Sequence, residues 1–70
     1  MTISYNKLWK LLVDKKMSKA DLRKATEMAS NTMTSLRRDK KVSMDVLLRI
    51  CEVLDCDIGD IMSVRAEVAD

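Results

Sequence analysis

The stretch from Met17 to Leu36, MSKADLRKATEMASNTMTSL, constrains the fold more than any other, because it reads as two short helices with a tight break between them. The hydroxyl of Ser18 can accept a hydrogen bond from a free backbone N–H of the following turn, and Asp21, three residues on, can answer it. A helix is therefore predicted to begin at Lys19 and to run for about two turns, with Leu22, Ala25 and Thr26 on its packing face and Lys19, Arg23 and Lys24 outside. A second helix is predicted from Ala29 or Ser30 to Leu36, with Met33 and Leu36 inward and Met28 packing beneath them. Its opposite face collects Asn31, Thr34, Ser35 and Arg38, all able to form hydrogen bonds. Such a face suits the major groove of DNA and equally suits plain solvent.

Bulk composition bounds the rest. Seventy residues with no Pro, one Gly, 47% apolar and 34% charged side chains describe one compact helical domain spanning residues 1–70. A chain this short buries only about 60% of its unfolded surface, so dimerisation is expected as a source of stability. The net charge of +2 is unevenly spread: residues 1–41 hold eleven Lys and Arg against four acids, residues 42–70 two against seven. The first segment thus carries +7 and the second −5, and the positive half coincides with the two short helices.

Before that pair, Ser4–Lys16 is predicted to form a first helix with Leu8, Leu11, Leu12 and Tyr5 facing the core and Lys7, Lys10 and Asp14 facing water. Trp9 belongs at the rim of that stripe or stands out as an interface anchor, with the rim favoured. After the pair, Arg37–Lys41 is a basic loop, and Ser43 caps a strongly apolar helix from Met44 to Cys56. A short helix from Ile58 to Met62, capped by Asp57, follows, and residues 63–70 form a tail, a strand or a dimerisation arm.

Cys51 and Cys56 fall about 140° apart on a helical wheel and are not expected to form a disulfide. With no His and no Cys-x-x-Cys spacing, no metal is expected, and the acidic run Asp55, Asp57, Gly59, Asp60 lacks the later ligands of a calcium loop. An enzyme is disfavoured, since no nucleophile is paired with a base and so short a chain leaves no room for a substrate pocket. Nothing has the form of a secretory leader and no apolar run approaches the ~20 residues of a membrane span, so a cytoplasmic protein is expected.

Across residues 4–62 the chain resembles the Cro/CI-type (XRE) helix-turn-helix DNA-binding domains. The Met17–Leu36 stretch matches their motif, and VSMDVLLRICEVLDCDIGDIM is similar to their fourth and fifth helices. Small stand-alone regulators, the VanU type among them, share this layout. The resemblance implies an all-α, five-helix, lambda-repressor-like fold and a sequence-specific transcriptional regulator that binds double-stranded DNA as a homodimer, with no cofactor and no small-molecule ligand. It implies phosphate contacts by Lys19 and Arg38, with Lys40 and Lys41 as further candidates, and base reading by the outward side chains of Ser30, Asn31, Thr34 and Ser35.

Three departures stand out. Arg23 occupies a position where the family usually has a small residue, Glu27 a turn position where it usually has Gly, and Ala29 its usual Ser cap. Either Glu27 is strained or the turn has another shape, and the second helix is capped by Ser30 or keeps free amides. These departures also give weight to an alternative, a protein-interaction module of antitoxin-like or antirepressor-like type on the same fold.

Overall fold

The computed structural model describes residues 2–65. Its elements in order are strand β1 (Thr2–Ser4), helices α1 (Asn6–Asp14), α2 (Lys19–Thr26), α3 (Ser30–Arg37) and α4 (Met44–Leu54), a single 3₁₀ turn (Ile58–Asp60) and strand β2 (Ser63–Arg65). Four α-helices and a two-stranded sheet therefore replace the expected five helices. The two strands are antiparallel, with Thr2 opposite Arg65, Ile3 opposite Val64 and Ser4 opposite Ser63. The ambiguous segment after Met62 thus begins as a strand, and residues 66–70 of the expected tail lie outside the described residues.

The capping box predicted for α2 is present: Asp21 N–H donates to Ser18 Oγ and Ser18 N–H to Asp21 Oδ2, each at 3.0 Å. The Ser18 N–H, and secondarily the Ser18 side chain, hold the Asp21 carboxyl below its ordinary value of 3.8. That stabilisation is present above the ordinary value and is lost as the pH falls through the lowered one. Ser43 caps α4 by accepting from Val46 N–H at 3.3 Å, and on the 3₁₀ turn Asp57 N–H donates to Asp60 Oδ2 at 3.0 Å while Asp60 N–H donates to the Asp57 carbonyl at 2.9 Å. One turn is all that follows, rather than a helix to Met62, because Ile61 already sits fully buried in the core and the chain must leave it to enter β2.

Each α-helix ends in the same way. Lys16, Glu27, Asp39 and Asp55 take left-handed backbone angles (φ 57°, 57°, 56° and 52°), and the following N–H reaches back five residues. The bonds are Met17 to Leu12 O (2.9 Å), Met28 to Arg23 O (3.2 Å), Lys40 to Ser35 O (2.9 Å) and Cys56 to Cys51 O (3.1 Å). These are Schellman-type closures, which pair carbonyls that a helix end leaves free. None uses glycine; Gly59 has no positive φ and instead offers its carbonyl to Lys7 Nζ at 3.1 Å. Glu27 therefore keeps the turn that glycine usually makes and accepts the crowding of a Cβ there, worth roughly 1 kcal/mol.

The core joins Tyr5, Leu8 and Leu12 of the first segment to Leu22, Met28, Met33, Leu36, Leu47, Ile50, Cys51, Leu54 and Ile61. Helix α2 packs on α4, with Leu22 and Ile50 both without solvent exposure. Thr26 is buried because its hydroxyl donates to Leu22 O at 2.7 Å, whereas Ala25, expected inward, is exposed. Helix α1 starts at Asn6 rather than Ser4 because Ser4 belongs to the sheet and the Tyr5 N–H is used elsewhere. It donates to Asp39 Oδ1 at 3.0 Å, while the Tyr5 hydroxyl donates to Lys40 O at 3.0 Å. Burial and the nearby Asp39 charge push the phenol upward, so it remains a donor through neutral pH.

Both cysteines are free, and the α4 reversal changes the basis on which their spacing is read. Helix α4 stops at Leu54, not Cys56, so the wheel angle between Cys51 and Cys56 has no meaning. The left-handed Asp55 folds the chain back so that Cys56 N–H donates to Cys51 O at 3.1 Å, and both thiols are free. Burial, then the Cys51 thiol, push Cys56 up to about 11.

Three outcomes follow for stability and reactivity. Glu27→Gly is expected to raise the unfolding free energy by about 1 kcal/mol in urea titration, by removing a Cβ from a left-handed residue. Tyr5→Phe is expected to lower it by about 1 kcal/mol, the worth of one hydrogen bond from a buried hydroxyl. Cys56 should alkylate with iodoacetamide at pH 8 markedly more slowly than a free thiol, because burial pushes it up to about 11 and depletes its thiolate. Alkylation at the unfolded rate would contradict the burial of this thiol.

Candidate nucleic-acid interface

Helix α3 follows α2 across the left-handed Glu27 turn and buries Met33 and Leu36 beneath it. Ala29 occupies its capping position in extended conformation and supplies no side-chain bond, so the alternative of a Ser30 cap does not arise. Ser30 and Asn31 are exposed, and Thr34 and Ser35 are half-buried along the same outer surface. The Thr34 hydroxyl donates to Ser30 O at 3.1 Å, which leaves its oxygen lone pair and its methyl for an incoming partner.

This surface is a ridge between two clefts. On one side Lys19, Ala20, Arg23, Ser30, Met33, Thr34 and Arg37 form the walls. On the other, Asn31, Thr32 and Ser35 face Lys41, Val42, Ser43 and Val46. The candidate base-reading residues thus divide between the two sides, Ser30 and Thr34 with Lys19, Asn31 and Ser35 with Lys41. Arg38 and Lys40 belong to neither lining. Arg38 ends α3, exposed, and Lys40 is exposed with its carbonyl tied to Tyr5.

Sequence reasoning missed two members of this surface. Arg23, read as an awkward substitute for a small residue, is half-buried in the first cleft one helical turn after Lys19. Arg37 belongs to the basic run by sequence, yet its spacing from Ser30 and Thr34 places it on their face. A third feature joins α1 to the interface: Lys19 Nζ stands 4.5 Å from the centre of the Trp9 ring.

The basic loop is also more ordered than a charge run implies. Asp39 makes the left-handed reversal after α3 and accepts from the Tyr5 N–H, so Arg38, Lys40 and Lys41 are presented by a segment fastened to the start of α1. The ridge, its flanking cations and this fastening concentrate positive charge around a row of short hydrogen-bonding side chains. Among the described residues no helix is long and apolar enough to cross a membrane, and no group of His, Cys, Asp and Glu is placed to hold a metal ion.

Two short helices joined by a left-handed turn, the second exposing a polar ridge among cations, define a helix-turn-helix domain. The chain belongs to the Cro/C1-type HTH DNA-binding domain family, whose model matches residues 7–67. Among solved structures it is similar to the transcriptional regulator VanUg, with 48% sequence identity and a TM-score of 0.92 over 94% of this chain and 88% of that one. Comparison with curated proteins finds no match.

Proposed function

We propose that the chain is a sequence-specific transcriptional regulator that binds double-stranded DNA as a homodimer, with α3 seated in the major groove. The observation that carries this reading is the α3 ridge itself: hydrogen-bonding side chains on its crest and Lys or Arg on both flanks. Phosphates bordering the groove would meet Lys19, Arg23 and Arg37 on one side and Lys41 on the other, with Arg38 and Lys40 beyond the helix end. These contacts fix register. Sequence is read by the crest, where Asn31 can form a bidentate pair with adenine, Ser30 and Ser35 can donate or accept, and the Thr34 methyl can meet thymine.

One helix of this length reads only a few base pairs, so two copies on half-sites about one helical turn apart are needed for a specific site. Apolar surface supports self-association. Met44 and Leu48 are exposed at 58% and 48%, one turn apart on α4, on a helix whose excess of apolar side chains exceeds what the core buries. The similarity to VanUg supports a role in transcription control.

Selection of bound duplexes from a random pool near physiological salt is expected to enrich an inverted repeat. Asn31→Ala is expected to cost about 1 to 3 kcal/mol on the selected site and to relax preference at one position. Lys19→Ala is expected to weaken all duplexes alike and to reduce the slope of log affinity against log salt by about one. Failure of the folded protein to bind any duplex at low salt would turn attention to a protein partner instead.

A further inference from the structure

We infer that Trp9 is a positioning residue for DNA binding: its ring holds the Lys19 ammonium in place for a backbone phosphate. The inference rests on the DNA-binding reading and adds to it a side chain from α1, outside the helix pair. Lys19 opens α2 at one end of the cleft shared with Arg23, Ser30, Thr34 and Arg37. A lysine there is ordinarily a free, strongly hydrated charge on a stem of four rotatable bonds, and ordering it on binding opposes affinity. Here the Nζ lies 4.5 Å from the Trp9 ring centre, within cation–π range. Trp9 is itself held, half-buried and packed against the core, so the platform is fixed.

The ammonium is tetrahedral. With one side against the ring, donors on the other side remain free to meet a phosphate, so the indole and the phosphate need not compete for the charge. Part of the ordering of Lys19 is thereby complete before DNA arrives.

The test is a double-substitution cycle read by fluorescence anisotropy, using the full chain and a labelled mixed-sequence duplex about two helical turns long. Trp9→Leu keeps apolar bulk and removes the ring face; it is expected to weaken binding about 2- to 5-fold, the range a cation–π contact at an exposed site converts to. Trp9→Phe, which keeps a ring, should recover most of that loss. In a Lys19→Gln background, Trp9→Leu should have no further effect. Equal loss with and without Lys19, or tighter binding by Trp9→Leu, overturns the inference.

A second measurement needs no variant that has to fold. In the native protein the Lys19 side-chain methylene protons next to the ammonium should show an upfield ring-current shift in NMR spectra, and the shift should persist when duplex is added. Its disappearance on binding shows that the ring releases the lysine and overturns the inference, while the DNA-binding reading stands. Absence of any duplex binding by the native protein removes that reading, and this inference with it.

Discussion

The left-handed closures at the helix ends are the constraint on which the other features depend. A helix of eight to eleven residues cannot pay for its own ordering and persists because its apolar stripe packs on neighbours. The chain must therefore reverse sharply after each one, and every reversal here is made by a bond reaching back five residues across a residue of positive φ. Asp tolerates that conformation better than most residues, which suits Asp39 and Asp55. Lys16 and Glu27 lack that advantage and are held by the packing on either side, Leu12 before one reversal and Met28 after the other.

The same device builds the candidate interface. The reversal at Glu27 sets α3 across α2, so that Lys19 and Arg23 on one helix line a cleft with Ser30, Thr34 and Arg37 on the next. The reversal at Asp39 brings the basic segment back to the second cleft, and its carboxylate accepts from the first backbone N–H ahead of α1. One aspartate thus serves as helix terminator, as anchor of a cationic loop and as hydrogen-bond partner for an otherwise unpaired amide.

What was legible in the sequence was local. Ser18 and Asp21 announce the start of α2 through their spacing, Ser43 that of α4, and Met28, Met33 and Leu36 show which face of α3 is inward. Features that depend on distant residues were not legible. Nothing near Thr2–Ser4 signals that it pairs with Ser63–Arg65, and nothing near Tyr5 signals Asp39, thirty-four positions away. The wheel angle between the cysteines does not apply, for a related reason: a wheel assumes the helix continues, and Asp55 ends it, although both cysteines are free. On the candidate surface, pattern and resemblance point to Lys19, Lys41 and the α3 crest, and the fold gathers these residues around two clefts. Arg23 was discounted because a long side chain at a usually small position reads as a packing problem, until the cleft that accommodates it is seen.

We propose that the α3 ridge and its flanking cations are the surface that meets DNA. Titrating isotope-labelled protein with duplex DNA while following backbone amide shifts tests it most directly. Shifts are expected to concentrate in residues 18–24, 29–38 and 40–43, with the Met44 to Leu54 helix beyond its first turn little changed at the face buried against α2. Shifts confined to the Leu48, Cys56 and Ile58 side, or none at DNA concentrations that saturate binding in anisotropy, would contradict it.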